Sequence, residues 1–171
     1  MKITNKHNLP EPLVAVLSED NYTKGESDYS VTEIISPPRI QRLRVQYWDA
    51  MEQDASERLW SGLGSVIHKI TEMMTPKHLI PEERLFVEID GVTLSGAMDL
   101  QDDTDGTIKI VDYKFTSAWS LREEKTEWVL QQNIYAWMVR RLKGKEVSSL
   151  RVGAIIRDWS RREAANSASY P

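Results

Sequence analysis

The sequence predicts an α/β domain in which a central mixed sheet is flanked by helices. One helical pattern of apolar residues runs over residues 57–74. Three strand-like runs follow between residues 85 and 115, and a second helical pattern precedes a last strand-like run at residues 150–156. Helical and strand periods alternate in this way when helices cover the faces of one sheet. The predicted order is helix, three strands, helix, strand.

Length and composition are those of one globular domain. The chain has 171 residues, of which 40% are hydrophobic and 28% are charged, so it can bury a core of its own. We expect a polar N-terminal arm over residues 1–29 and a single domain over residues 30–171. No cysteine is present, which excludes disulfides, thiolate zinc sites, iron–sulfur clusters and cysteine nucleophiles. Because bilayer-length apolar runs and a secretory signal are both lacking, we expect a cytoplasmic protein without a membrane partner.

Two short helices are expected before the first long one. Ser30 and Glu33 match a capping box, in which a hydroxyl and a carboxylate satisfy each other's exposed backbone amides. The helix that starts there should stop at Pro37-Pro38, and residues 39–51 favour a second helix.

The long helix over residues 57–74 carries a single apolar stripe. Gly62 and Gly64 weaken an isolated helix, so they indicate that another part of the chain approaches closely. The stripe consists of Leu59, Leu63, Val66, Ile67, Ile70, Met73 and Met74.

Three strands joined by tight turns are predicted next. Residues 85–89 favour a strand, Asp90-Gly91 is a strong two-residue hairpin turn, and residues 92–100 run back. A polar turn leads into the third strand, residues 107–115, which completes an antiparallel meander. The amphipathic helix over residues 123–142 should then end at Lys143-Gly144.

The charges are unevenly distributed although the net charge of −4 does not itself favour a nucleic-acid partner. Residues 82–105 carry eight acidic side chains and one basic one, whereas residues 139–171 carry eight basic and three acidic ones. An acidic pole beside a basic pole suits a metal-dependent phosphodiesterase. Two solvated faces would give the same pattern.

Asp112 and Lys114 are the first candidates for chemistry. They are two residues apart on a predicted strand, so their side chains leave the same face. A carboxylate and an ammonium on an apolar strand are costly to bury unless they are paired or bind a metal. Asp99 lies near the end of the preceding strand, and two converging carboxylates attract a divalent cation. Hard oxygen ligands favour Mg²⁺ or Mn²⁺.

The segment Gly96-Ala97-Met98-Asp99, twelve intervening residues and Asp112-Tyr113-Lys114 resembles the signature of the PD-(D/E)XK nucleases. The resemblance implies a restriction-endonuclease-like αβββαβ core. It also implies that Asp99 and Asp112 hold a metal with help from the carbonyl of Tyr113. Lys114 would position or activate the attacking water.

Two further motifs resemble the RecB-like branch of that family, which includes phage exonucleases. Gly64 to His68 resembles its G-x-x-x-H helix, whose histidine supplies a metal contact. Gln131 and Tyr135 resemble its Q-x-x-x-Y motif, which implies a role in substrate binding. The resemblance covers residues 30–160.

The resemblance implies a metal-dependent DNA exonuclease of phage or bacterial DNA processing. A structure-selective endonuclease and a catalytically silent DNA-binding module of the same fold are the alternatives. DNA is the expected partner, and a homo-oligomer or a recombination or replication protein would be compatible.

Simpler roles are open for each candidate residue. Asp112 and Lys114 would also make a surface ion pair, and Asp99 would also suit a hairpin end. His68 borders the apolar stripe and would also suit a core edge. Gln131 and Tyr135 would also suit an exposed helix face.

Overall fold

The computed structural model describes residues 1–19 and 23–170. The chain divides into two compact units. The first unit comprises Met1–Met73 and Phe86–Gly96, and the second comprises Met74–Leu85 and Ala97–Pro171. Two long strands contribute residues to both units. The boundary predicted at residue 29 stays a prediction.

The N-terminal segment of the first unit forms regular structure. Strand β1 (Lys2–Thr4) pairs in parallel with β3 (Glu52–Asp54), and helix α1 spans Glu11–Ser18. The buried carboxylate of Asp54 accepts hydrogen bonds from the backbone N–H of Lys6 at 2.7 Å and from Thr4 Oγ1 at 2.9 Å. These hydrogen bonds connect the N-terminal segment to a segment fifty residues later in the chain.

The predicted capping box is present. Ser30 Oγ accepts from the backbone N–H of Glu33 at 3.2 Å, and the Glu33 carboxylate accepts from the backbone N–H of Ser30 at 2.6 Å. This pair starts helix α2 (Val31–Ile35), which follows the short strand β2 (Tyr29–Ser30). Helix α3 covers Pro38–Tyr47, close to the predicted second helix.

Helix α4 spans Leu59–Met74, as the apolar period predicts. A Cβ atom on Gly62 would lie 2.8 Å from Cδ2 of Leu17, which confirms the expected close approach. Most of the stripe is exposed, with Ile70 at 55% and Met73 at 82% of their full accessibility, whereas Leu59 and Ile67 are half-buried. A helical period shows that apolar residues share a face, but it does not show that another element covers that face.

A mixed sheet forms the centre of the fold. Strand β4 covers Leu79–Ile89, β5 covers Val92–Asp102, β6 covers Ile108–Thr116 and β7 covers Val147–Ile156. Strand β5 pairs with β4 and runs antiparallel to β6, whereas β6 runs parallel to β7. In the first unit β2 pairs in parallel with Leu94 and Ser95 of β5.

The turn between β4 and β5 is the one that the sequence predicts. Asp90 and Gly91 both have positive φ values, 50° and 80°, as a type I′ hairpin turn requires. Within the second unit, β5 and β6 then continue the meander through the polar turn after Asp102.

Helix α5 (Thr126–Lys143) crosses from β6 to β7 and packs on both strands. It ends at Gly144, whose φ of 62° is the left-handed conformation that closes many helices. Ile108, Ile110, Met138 and Val139 are fully buried and form the core of this layer. A short helix α6 (Arg161–Asn166) follows β7.

The order α4, β4, β5, β6, α5, β7 confirms the predicted αβββαβ arrangement and the α/β class with a central mixed sheet flanked by helices. Within residues 1–19 and 23–170, the helices lack the length and hydrophobicity that a membrane span requires.

Candidate active site

Strand β6 places Asp112 and Lys114 side by side. Apolar residues at alternate positions hold the strand in the core, and the two polar residues follow on the same face. Lys114 Nζ lies 2.6 Å from Asp112 Oδ2. Asp112 is only 2% exposed, so the pair is not the surface ion pair that the sequence left open. A buried carboxylate of this kind needs a cation nearby.

Asp99 reaches the same place from β5. The antiparallel register pairs Leu100 with Val111, and Asp99 and Asp112 are the next residues along β5 and β6. Asp99 Oδ2 accepts a hydrogen bond from the backbone N–H of Tyr113 at 2.5 Å. This bond fixes the Asp99 carboxylate against the backbone between the other two candidates.

Tyr113 projects from the opposite face of β6. A Cβ atom on Gly153, its neighbour on β7, would lie 3.1 Å from Cδ1 of the Tyr113 ring. Glycine at position 153 therefore lets the ring lie flat on β7. The backbone of Tyr113 carries both the N–H bonded to Asp99 and the carbonyl predicted to assist the metal.

Glu82 is a member of this group that the sequence analysis missed. A carboxylate oxygen of Glu82 lies within 4.8 Å of one of Asp99. Glu82 has a φ of 46°, in the left-handed region that a residue with a side chain adopts at a cost of about 1–2 kcal/mol. Backbone strain of this size often occurs at functional sites. In the sequence Glu82 is one of eight acids in residues 82–105. No local pattern predicts its positive φ or its position near Asp99.

The donor set fits a hard divalent cation. Two oxygens bound to one Mg²⁺ at roughly 2.0–2.1 Å lie at most about 4.2 Å apart. The bound of 4.8 Å on the separation of the Glu82 and Asp99 oxygens is slightly longer than this limit. Their like charges repel each other, so the arrangement is favourable when a cation lies between them. Glu82, Asp99 and Asp112 all offer carboxylate oxygens, and these hard donors favour Mg²⁺ or Mn²⁺ over softer ions.

Gln131 and Tyr135 lie one turn apart on α5, and both are buried. Gln131 Nε2 donates to Tyr135 Oη at 2.8 Å. They are therefore not the exposed helix residues of the simpler interpretation. This hydrogen bond fixes the orientation of both side chains within the second unit.

His68 lies on α4 in the first unit and is partly buried. Its role as a metal ligand stays a prediction from the sequence. Glu72, one turn further along α4, and Glu88, on β4, are exposed acids.

Five arginines of the C-terminal third are distributed over three elements. Arg140 and Arg141 end α5, Arg151 is on β7, and Arg161 and Arg162 begin α6. All five are exposed. Their guanidinium groups are available to bind anions.

Residues 11–166 match the family model of the PD-(D/E)XK nuclease superfamily. No curated protein matches the chain. Among solved structures, the crystal structure of SSO0001 is similar, with a TM-score of 0.55 and 20% sequence identity. The match covers 75% of this chain and 66% of SSO0001, slightly less than two thirds of that protein. At this identity the likeness shows the fold alone.

Proposed function

Because this chain belongs to the PD-(D/E)XK nuclease superfamily, we propose that it hydrolyses phosphodiester bonds of DNA with the help of Mg²⁺ or Mn²⁺. Two contacts support the proposal: Lys114 Nζ lies 2.6 Å from Asp112 Oδ2, and the Asp99 carboxylate accepts from the backbone N–H of Tyr113, the residue between Asp112 and Lys114. Phosphodiester hydrolysis needs a nucleophile from water and compensation for growing phosphoryl charge. Asp99 and Asp112 would hold a cation that activates the water, and the Lys114 ammonium would compensate the phosphoryl charge.

A divalent cation, when bound, supplies Lewis-acid stabilisation of phosphoryl charge and makes water more acidic. Asp99, Asp112 and Glu82 would hold it through carboxylate oxygens, and the carbonyl of Tyr113 would add a neutral ligand. The N–H of Tyr113 orients Asp99 for this role.

Lys114 has two tasks in the proposal. Before substrate binds, its ammonium balances the buried charge of Asp112 at 2.6 Å. A bound cation would compensate the charge of Asp112, and the Lys114 ammonium would then align the attacking water and offset charge in the transition state. Gln131 and Tyr135 would bind substrate next to this centre.

The proposal that DNA is the substrate rests on exposed positive charge. The exposed arginines of α5, β7 and α6 would track DNA phosphates, so affinity should fall as salt rises. Within this function we favour an exonuclease of phage or bacterial DNA processing, acting in the cytoplasm. A structure-selective endonuclease would use the same side chains, and a silent DNA-binding module would keep the fold without cleavage.

The test uses end-labelled linear DNA and covalently closed circular DNA, each with Mg²⁺ or with chelator. We expect metal-dependent loss of the linear substrate alone. Cleavage of both substrates would replace the exonuclease by an endonuclease, and cleavage of neither would leave the silent module.

Variants connect the cleavage to the site. Lys114→Ala and Asp99→Asn should each abolish cleavage. Lys109→Ala is the matched control, because Lys109 is an ion-paired lysine on the same strand, 2.6 Å from Asp105 in the turn. Full activity of Lys114→Ala would show that the lysine has no role in the chemistry.

A further inference from the structure

A cavity of about 360 Å³ lies in the second unit where α5 faces β7. Trp128 and Gln132 line it from α5, and Leu150 and Val152 line it from β7. Sites for small ligands commonly have volumes of roughly 300–1,000 Å³. The cavity is therefore large enough for one planar heterocycle.

Gln132 gives the cavity a polar group with unused hydrogen-bonding capacity. Its side chain is 96% buried, and neither its amide oxygen nor its amide nitrogen bonds to any described residue. A buried amide without a protein partner is destabilising unless a molecule in the cavity satisfies it. A residue of this kind needs an explanation, and a ligand that satisfies the amide is one.

The cavity adjoins the candidate active site. Val152 pairs with Asp112 in the parallel register of β6 and β7, so both side chains project from the same face on neighbouring strands. Gln132 follows Gln131 along α5. A nucleotide beside the one being cut would reach the cavity from the active site.

We propose that this cavity binds one unpaired nucleobase of the strand being cut, next to the scissile phosphodiester. The inference rests on the proposed DNA-nuclease function and adds a recognition site to it. Trp128 offers an aromatic face on which a base stacks. The Gln132 amide turns toward the base and offers a donor and an acceptor together, the combination that matches N7 and N6 of adenine. Lys125 and Glu123 also line the cavity and form an ion pair at 4.0 Å, from which the Lys125 ammonium would turn to a flanking phosphate.

The choice of a nucleobase over an apolar protein side chain follows from these residues. A leucine or phenylalanine of a partner protein would fill the space but would leave the amide of Gln132 unsatisfied. A base satisfies both the aromatic and the polar part of the lining. Its place beside Asp112 also makes a strand in the active site the nearest source.

The experiment scans an abasic site along a single-stranded oligonucleotide and measures cleavage at each phosphodiester with Mg²⁺. For the wild type, cleavage should fall about tenfold at the bond next to the abasic position, as expected from the loss of one stacked base. Trp128→Ala should cut the intact strand about tenfold more slowly and lose the abasic effect. Trp137→Ala is the control, because Trp137 is a half-exposed residue of the same helix outside the cavity.

Gln132→Leu tests the polar contact without depending on Trp128. Cleavage next to adenine should lose about a tenfold preference over thymine, the effect of one bidentate base contact. The melting temperature should stay the same or rise, since an unsatisfied amide is removed. Unchanged preference in this variant, with cleavage intact, would overturn the inference and leave the nuclease function standing.

A binding measurement separates the two hypotheses if the wild type fails to cleave. Fluorescence anisotropy of labelled dA and dT oligonucleotides in chelator should still show weaker dA binding for Gln132→Leu than for wild type. Equal binding by the two proteins would overturn the inference. A titration with free dAMP distinguishes the source of the base: dAMP binding without any abasic effect would also overturn it, because the site would then serve mononucleotides.

Discussion

Removing the ammonium of Lys114 should destabilise the folded protein as well as abolish cleavage. The Asp112 side chain is 3% exposed and that of Lys114 is 25% exposed, and their charged atoms are 2.6 Å apart. Removing one partner of a buried ion pair costs roughly 3–5 kcal/mol, because a buried charge loses its compensation. Since Lys114 is partly exposed, we expect the lower end, about 3 kcal/mol.

For a chain of this length, about 3 kcal/mol corresponds to a fall in melting temperature of roughly 6–12 °C. The measurement is thermal unfolding of wild type and Lys114→Ala in chelator, followed by circular dichroism. Lys109→Ala should change the melting temperature by no more than about 2 °C, because its ion pairs are at the exposed turn.

Adding Mg²⁺ should recover part of the loss in Lys114→Ala, since a cation beside Asp112 replaces the missing positive charge. A melting temperature equal to that of wild type in chelator would refute the reasoning. The same would follow if Mg²⁺ stabilised wild type and variant equally, because Lys114 and the metal would then not share the charge of Asp112.

Three further outcomes are expected. Glu82→Gly should raise stability by about 1 kcal/mol because glycine adopts the φ of 46° without strain, whereas Glu82→Gln should not, and both should weaken Mg²⁺ binding in calorimetry. Asp54→Asn should lower the melting temperature at pH 7: the hydrogen bond from the Lys6 N–H, with those from Ser56 and Thr4, holds the pKa of Asp54 below its ordinary 3.8. That stabilisation is complete above about pH 4 and is lost as the pH falls further, so wild type and variant should converge in acid melts. Gly153→Ala should press on the Tyr113 ring and slow cleavage about tenfold with little change in the melting temperature; an unchanged rate would show that this packing does not set the site.

The parts of the site that the sequence predicts depend on neighbours along the chain. Alternation puts Asp112 and Lys114 on one face, and the single turn between β5 and β6 brings Asp99 opposite. The order of the strands and the two long helices are likewise predicted from the spacing of apolar residues and from the turn residues. Local rules were therefore sufficient for this core.

The rest depends on contacts between distant segments. Glu82 joins Asp99 only because β4 carries an unusual backbone conformation, which no residue pattern indicates. The pairing of β1 with β3 joins two three-residue strands, which are too short to have a period. The exposure of Ile70 on α4 depends on what covers the helix, and periodicity does not contain this information.

The parallel pairing of β6 with β7 has a consequence for biosynthesis. Asp112 lies opposite Val152, a residue that is translated forty positions later. At roughly 5–20 residues per second, the ribosome needs about 2–8 s to deliver that partner. During this interval one edge of the strand that carries Asp112 and Lys114 is open. The strand that carries Asp112 and Lys114 therefore lacks its parallel neighbour until translation has passed β7.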